Sequence, residues 1–123
     1  MLKSRFLAVV PVVLALLPVF GDNAAYAGAT GGQKRWAEKA PSRQTLVYNI
    51  QFAGGQTAEF AIVGDADTDV DIFVYDQNGN LVTQDVGLSD LGLVRWTPGF
   101  TQTYRIEVKN LGTVWNMVRM GHN

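Results

Sequence analysis

The residues best able to do chemistry are four aspartates at alternate positions: Asp65, Asp67, Asp69 and Asp71. Carboxylates packed this closely repel one another, and a hard cation with oxygen ligands, such as Ca²⁺, relieves that repulsion. The spacing does not fit a helical calcium-binding hand, because the positions that require glycine and glutamate hold Val70 and Asp76. Any metal site here must therefore have another geometry.

A turn downstream suggests that geometry. Asn78 and Gly79 both tolerate the positive backbone angles of a tight primed turn, so they predict a β-hairpin. Counting outward from the turn places Asp71 roughly opposite Val86, so that Asp85 can approach Asp71. We therefore predict a possible Ca²⁺ site whose ligands are the following four carboxylates: Asp67, Asp69, Asp71 and Asp85. In the alternative interpretation, these acids accept backbone N–H bonds in turns and keep an edge strand from aggregating.

Two aromatic residues share the strand face of Asp71. Phe73 and Tyr75 follow it at alternate positions. If that face is exposed, the two rings form a candidate ligand surface for a sugar or a peptide. If it faces the interior, they are core residues. The pattern leaves both interpretations open.

Composition restricts catalysis. The chain has 123 residues, no cysteine and one histidine, His122, beside the C-terminus. We expect that terminus to fray, which makes His122 a poor general base. The carboxylates share one hydrophilic loop, whereas a glycosidase pair needs two different environments. These features predict a protein that is not an enzyme, and the formal net charge of -1 argues against a nucleic-acid partner.

The N-terminal residues have the pattern of an export signal. Lys3 and Arg5 precede an apolar run over residues 6–20, which is followed by Ala25, Tyr26 and Ala27. This pattern predicts a secretory signal peptide over residues 1–27 that is cleaved before Gly28. The run is shorter than the roughly 20 residues that span a bilayer. We therefore expect an exported protein, periplasmic or extracellular, that is not held in the membrane after cleavage.

The remaining chain divides into two parts. Residues 28–44 predict a flexible tether, in which residues 33–40 could form two helical turns around Trp36. From Thr45 onward apolar residues recur at every second position, the period of a β-strand. About seven short strands, with turn signals roughly every ten residues, predict an all-β antiparallel β-sandwich over residues 45–123. A closed barrel is the alternative, and Gly54–Gly55 predicts a second hairpin.

Several short motifs, in this order, resemble the bacterial pre-peptidase C-terminal domain, which is similar in fold to the collagen-binding domains of clostridial collagenases. They are the segment from Gly64 to Asp76, Asn78-Gly79-Asn80-Leu81-Val82, Trp96-Thr97-Pro98, the segment from Tyr104 to Asn110, and Val114-Trp115-Asn116. The resemblance covers about Thr45 to Asn123 and implies an exported, jelly-roll-like β-sandwich. By matched motif, Asp69 and Asp71 correspond to the family's acidic pair, and Asp85 to the acid after its hairpin.

The resemblance also bears on function. Some members of the family bind calcium, and some bind fibrous protein or polysaccharide, commonly as an appendage of a secreted hydrolase. No catalytic domain precedes the module in this sequence, so we expect any partner to be met in trans. Two hypotheses follow. One is a calcium-stabilised module that binds an extracellular protein or polysaccharide, and the other is a structural or secretion-assisting domain with no ligand of its own.

Overall fold

The structure, a computed structural model, describes residues 28–123, so the predicted signal peptide lies outside the described residues. These residues form eight β-strands and no helix, and hence no helix long and apolar enough to cross a membrane. The strands are β1 Lys34–Ala40, β2 Thr45–Phe52, β3 Ala58–Val63, β4 Val70–Tyr75, β5 Leu81–Asp85, β6 Leu91–Trp96, β7 Gln102–Asn110 and β8 Asn116–His122.

The strands form two antiparallel sheets of four. Their orders are β1-β8-β3-β6 and β2-β7-β4-β5. Strands 1 and 8, 2 and 7, 3 and 6, and 4 and 5 are therefore paired, which is the nested arrangement of a jelly roll. The predicted all-β sandwich is confirmed, with eight strands where the sequence indicates about seven.

The additional strand is β1, and it corrects the prediction of a flexible tether or helical turns over residues 28–44. It pairs with β8 along its whole length, from Lys34 opposite His122 to Ala40 opposite Asn116. Ala40 is fully buried, and Trp36 packs against the core. The short sequence of β1 carries little apolar periodicity of its own. Its stability comes from the backbone of a strand far away in the sequence, which local patterns do not reveal.

The core lies between the two sheets, where the alternation of side chains along each strand directs every second residue inward. An aromatic cluster fills one part of it. The ring centroid of Trp96 lies 5.0 Å from that of Phe52 and 5.3 Å from that of Tyr104, both in edge-to-face geometry. The fully buried aliphatic side chains Ile62, Ile72, Val74, Ile106, Val108, Val118 and Met120 complete the interior.

The two predicted hairpins have different outcomes. The β4–β5 hairpin is confirmed, since Gly79 has a φ of 83° and Ile72 lies opposite Asp85, as counted from the turn. The Gly54–Gly55 hairpin is wrong, because β2 and β3 belong to different sheets. Gly55 instead donates its N–H to the carbonyl of Pro98, in the loop beside it. A glycine turn signals a change of direction but not which strands pair.

The strand directions bring four loops to one end of the sandwich. These are residues 41–44, 64–69, 86–90 and 111–115, which we call the four-loop end. The loops at residues 53–57, 76–80 and 97–101 lie at the opposite end. The predicted acidic loop and the segment after Asp85 therefore lie together.

Candidate functional site

A buried hydrogen-bond network anchors the four-loop end. The Oδ2 atom of Asp90 accepts bonds from the backbone N–H of Ala66 at 2.6 Å and from Nδ2 of Asn116 at 2.9 Å. Nδ2 of Asn116 also lies 3.0 Å from Oγ1 of Thr68, and its Oδ1 accepts the N–H of Asp65 at 3.0 Å. Asp90 is 8% exposed and Asn116 is fully buried. The β3–β4 and β5–β6 loops are therefore fixed to the start of β8.

Asp65, the first of the alternating aspartates, serves the backbone. Its Oδ2 accepts the N–H of Met117 at 3.0 Å, and its Oδ1 accepts the N–H of Asp67 at 3.3 Å. Asp67 itself is half-buried in the same loop. A carboxylate that accepts backbone N–H groups orders a turn in the way proposed for the non-metal alternative.

Asn110 fixes the other side of this end. Its Nδ2 donates to the carbonyls of Ala40 at 3.0 Å and Val114 at 2.9 Å, and its Oδ1 accepts the N–H of Gly112 at 2.9 Å. Gly112 packs closely on the β3–β4 loop, because a Cβ atom there would lie 2.2 Å from Cγ2 of Thr68. All four loops thus pack as one rigid unit.

Asp69 and Asp71 are two carboxylates whose hydrogen-bonding capacity is not fully satisfied. Each has a buried Oδ1 atom with no hydrogen-bond partner. Burial raises the pKa of Asp71, and repulsion from Asp69 and Asp85 raises it further, whereas Lys109 on the neighbouring strand lowers it. This pair is the part of the predicted calcium set that suits a hard cation, because two oxygens lack a donor.

Asp85 lies on the other face of the sheet from Asp71. It pairs with Ile72, a core residue, so its side chain points inward, whereas Asp71 points outward. Its two carboxylate oxygens accept the N–H groups of Leu93 at 3.0 Å and Gly87 at 3.2 Å. In residues 28–123 no three His, Asp or Glu side chains form a group that could hold a metal. Calcium binding by the four carboxylates stays a prediction.

Phe73 and Tyr75 lie on the outer face of their sheet, half-buried, and not in the core. The Nζ atom of Lys109 lies 5.3 Å from the ring centroid of Phe73, and the guanidinium carbon of Arg105 lies 4.4 Å from that of Tyr75. Arg105 also pairs with Glu107 at 3.0 Å. The chain's own cations therefore cover the predicted aromatic ligand surface, and a ligand would have to displace them.

A groove between edge strands β1 and β2, not predicted from the sequence, has a volume of about 490 Å³. Trp36 and Tyr48 form its aromatic wall, with their ring centroids 5.1 Å apart. The Tyr48 hydroxyl donates to Oε1 of Glu38 at 2.5 Å, and burial raises the pKa of Tyr48. The groove could have been anticipated only if β1 had been identified as a strand.

His122 lines this groove and corrects the prediction of a frayed terminus. It is 4% exposed, and its ring packs edge-on against Trp36 and Phe52, with centroid distances of 5.8 and 5.7 Å. Its Nδ1 atom lies 2.8 Å from the carbonyl oxygen of Asn123. Burial lowers the pKa of His122, so the neutral ring is favoured. The histidine packs as part of the fold.

Exposed apolar side chains are concentrated at the four-loop end. Leu88 is 95% exposed at the tip of the β5–β6 loop, between Val86 at 47% and Leu91 at 64%. Leu111 and Val114, in the β7–β8 loop, are 44% and 47% exposed. The sequence analysis missed this cluster. The available signal was three apolar residues, Val86, Leu88 and Leu91, within the short connection after Asp85.

No protein-family model matches the sequence, and no curated protein matches it. Among solved structures, the chain resembles PliG of Aeromonas hydrophila, a periplasmic inhibitor of g-type lysozyme, with a TM-score of 0.61 and 13% identity over 83% of this chain and 90% of PliG. This similarity identifies a shared fold. A weaker resemblance is to a de novo designed double-stranded β-helix, with a TM-score of 0.46 and 13% identity over 73% of this chain and 99% of the designed protein. Another is to the capsular polysaccharide assembling protein CapF of Staphylococcus aureus, with a TM-score of 0.41 and 15% identity over 75% of this chain and 24% of CapF.

Proposed function

We propose that this chain is an exported, non-catalytic jelly-roll module that binds a protein partner in trans. The observation that carries the proposal is the concentration of exposed apolar side chains on the rigid loops of one end of the sandwich. Single exposed apolar residues are ordinary, whereas a group of them on one surface is typical of a protein interaction site. The group consists of Val86, Leu88, Leu91, Leu111 and Val114.

The shape of this end favours a protein over a small ligand. Small molecules bind in concave sites that enclose most of their surface. The four-loop end presents protruding side chains instead, and its loops are held by buried Asp90, Asn110 and Asn116. Rigid loops lose little conformational entropy on binding, which favours a tight complex.

PliG supplies the first partner to test. It has the same fold as this chain, is periplasmic, and inhibits g-type lysozyme. We propose g-type lysozyme as a candidate partner, and the periplasm as the compartment in which the protein acts. An extracellular protein or a polysaccharide remains the wider class indicated by the resemblance to pre-peptidase C-terminal domains.

Calcium is a second, separable part of the proposal. The partnerless oxygens of Asp69 and Asp71 support a cation at the outer edge of β4. Ca²⁺ bound there would reduce the repulsion between these carboxylates and stabilise the β3–β4 loop beside the apolar cluster. Protein binding by the cluster does not depend on this ion.

The alternative function is a structural or secretion-assisting domain with no ligand of its own. One observation favours it: Lys109 and Arg105 cover Phe73 and Tyr75, so the predicted aromatic surface already has intramolecular partners. Under this alternative, changes to the exposed loops would impair export or solubility and leave no binding defect.

The experiment is a titration of the exported, purified protein against purified g-type lysozyme. It combines calorimetry with an assay of cell-wall hydrolysis by the lysozyme. The proposal predicts saturable binding and loss of hydrolysis. Should neither this lysozyme nor any exported protein bind, while the chain still folds and is exported, the structural alternative would replace the proposal.

A further inference from the structure

We infer that the corner formed by the β3–β4 and β5–β6 loops docks onto a basic protein with an apolar cleft, and that Leu88 enters that cleft. This inference rests on the proposed protein-binding function and specifies its surface and the chemistry of its partner. We call residues 64–69 and 86–91 the docking corner. Its apolar tip is Val86, Leu88 and Leu91, and its acidic rim is Asp67 and Asp69.

The loop that carries Leu88 is held on both sides of the tip. Before it, Asp85 accepts the N–H of Gly87 at 3.2 Å. After it, the carbonyl of Ser89 accepts the N–H of Val70 at 3.3 Å, and the side chain of Ser89 accepts the N–H of Leu91 at 3.3 Å. Leu88 is therefore held out from the fold in a fixed position, so little entropy would be lost when a partner binds it.

The exposure of Leu88 specifies the shape of the partner. At 95% exposure its side chain has almost no contact with its own chain. The gain from burying an apolar side chain grows with the area removed from water, so a protruding side chain gains most when the partner surrounds it. The complementary surface is therefore an apolar pocket or cleft.

The charges around the tip specify the charge of the partner. In the two loops of the docking corner every charged residue is acidic: Asp65, Asp67, Asp69 and Asp90. The bases near this end belong to other elements. They are Arg43 in the β1–β2 loop, Lys109 beside Asp71 on β7, and Lys39 at the end of β1, over the ring of Trp115. An acidic rim attracts a basic surface and accelerates its association.

The same charges disfavour a second copy of the chain as the occupant. A two-fold interface would place the docking corner against itself. The rim carboxylates Asp67 and Asp69 would then face their own equivalents, and like charges across an interface oppose association. The corner therefore fits a different, cationic protein better than it fits itself.

Photo-crosslinking from the exported full chain tests the inference. A photoreactive amino acid replaces one exposed apolar residue at a time: Leu88 at the tip, Phe100 at the opposite end, or Val47 on the outer sheet face. Phe100 and Val47 are 56% and 50% exposed, so a probe at either position, as at Leu88, is open to a partner. Each protein is irradiated with purified g-type lysozyme and, separately, with the exported proteins of the source organism.

The inference predicts an adduct from position 88 only, with a protein that carries a net positive charge at neutral pH. With that purified protein, Leu88→Ser should weaken binding by about tenfold or more, whereas Phe100→Ser should not. Neutralising the rim with Asp67→Asn and Asp69→Asn should slow association and reduce its dependence on salt.

Three results would overturn the inference that the docking corner binds a basic protein. Adducts from position 100 or 47 but not from 88 would retain protein binding and exclude the docking corner. An adduct from 88 with an acidic protein or with a second copy would retain the surface and exclude a basic partner. The absence of adducts from all three positions would remove the inference, whereas the proposed function would stand or fall by the binding titration described for it.

Discussion

The side chains of Asp90 and Asn116, far apart in the sequence, are joined by a buried hydrogen bond of 2.9 Å between Oδ2 and Nδ2. Asp90 ends the β5–β6 loop, and Asn116 begins β8, which lies in the same sheet as β6. Because each also bonds the β3–β4 loop, this contact holds the docking corner in place.

Asp90→Ala should destabilise the fold. The substitution leaves the N–H of Ala66 and one N–H of Asn116 without the acceptor they share. Losing these two bonds to a buried carboxylate should lower the free energy of unfolding by about 2–4 kcal/mol in total. Thermal unfolding should show a midpoint lower by about 10 °C or more. Gln84→Ala, at an exposed position of β5, is the matched control. If both variants unfold at the wild-type temperature, the network does not hold this end.

Asp71→Asn should stabilise the protein at neutral pH, by a few degrees in the unfolding midpoint. Burial, and repulsion from Asp69 and Asp85, raise the pKa of Asp71 in the folded state, so its ionised form is disfavoured there. The folded protein then holds this proton more tightly than the unfolded chain, whose aspartates titrate near about 3.9. Wild-type stability therefore falls as the pH rises from that value through the raised pKa.

The test of this effect is unfolding of both proteins in chelator at pH 7 and at pH 3. The advantage of Asp71→Asn should be largest at pH 7 and small at pH 3, where the wild-type carboxyl is protonated in both states. If Asp71→Asn is less stable than wild type at pH 7 in chelator, the ionised carboxylate of Asp71 stabilises the folded protein, and the prediction is wrong.

His122 should make the fold sensitive to mild acid. Burial lowers its pKa, so the folded state disfavours the imidazolium. Stability from this residue is full above the unfolded pKa near about 6.5 and is lost as the pH falls from there through the lowered pKa. His122→Phe keeps a ring between Trp36 and Phe52 but cannot take up a proton. Denaturant unfolding between pH 7 and pH 5 should show that the free energy of unfolding falls less for the variant than for wild type. If it falls equally in both proteins, His122 is not the cause of the acid sensitivity.

Calcium should raise the unfolding midpoint if the Asp69–Asp71 pair binds it. At about 100 times the dissociation constant, a ligand of the folded state adds roughly 2.7 kcal/mol, which corresponds to about ten degrees or more in a domain of this size. Asp71→Asn should abolish this calcium-induced shift. Asp90→Asn should lower the unfolding midpoint but keep the calcium-induced shift. If the unfolding midpoint is the same in excess chelator and in Ca²⁺, the Asp69–Asp71 pair does not bind Ca²⁺, and the two carboxylates simply repel each other.

Local patterns in the sequence were sufficient for much of the fold. Alternating apolar residues predict β2, β4 and β7, because the period of two follows directly from the pleat. Counting outward from Asn78–Gly79 gives the pairing of Ile72 with Asp85, but a register shift between Val74 and Tyr75 places Leu81 opposite Tyr75 and not opposite Asp76.

What could not be predicted depends on pairing between distant segments. Strand β1 exists because β8 supplies its hydrogen-bond partners, and the buried position of His122 depends on the same pair. Counting along the hairpin brings Asp85 near Asp71, but the alternation of faces directs it inward to Leu93. The exposure of Leu88 is likewise a property of the assembled loops, since its sequence neighbours do not distinguish a tip from a packed connection.

The central claim, that the docking corner carries protein binding, is tested most directly by comparing the affinities of wild type, Leu88→Ser and Phe100→Ser for g-type lysozyme or for the basic protein recovered at position 88. Both substitutions remove an exposed apolar side chain, so all three proteins should unfold at about the same temperature. The account predicts a dissociation constant raised by about tenfold or more for Leu88→Ser alone. Equal affinities for the three proteins, or a larger loss for Phe100→Ser, would contradict it.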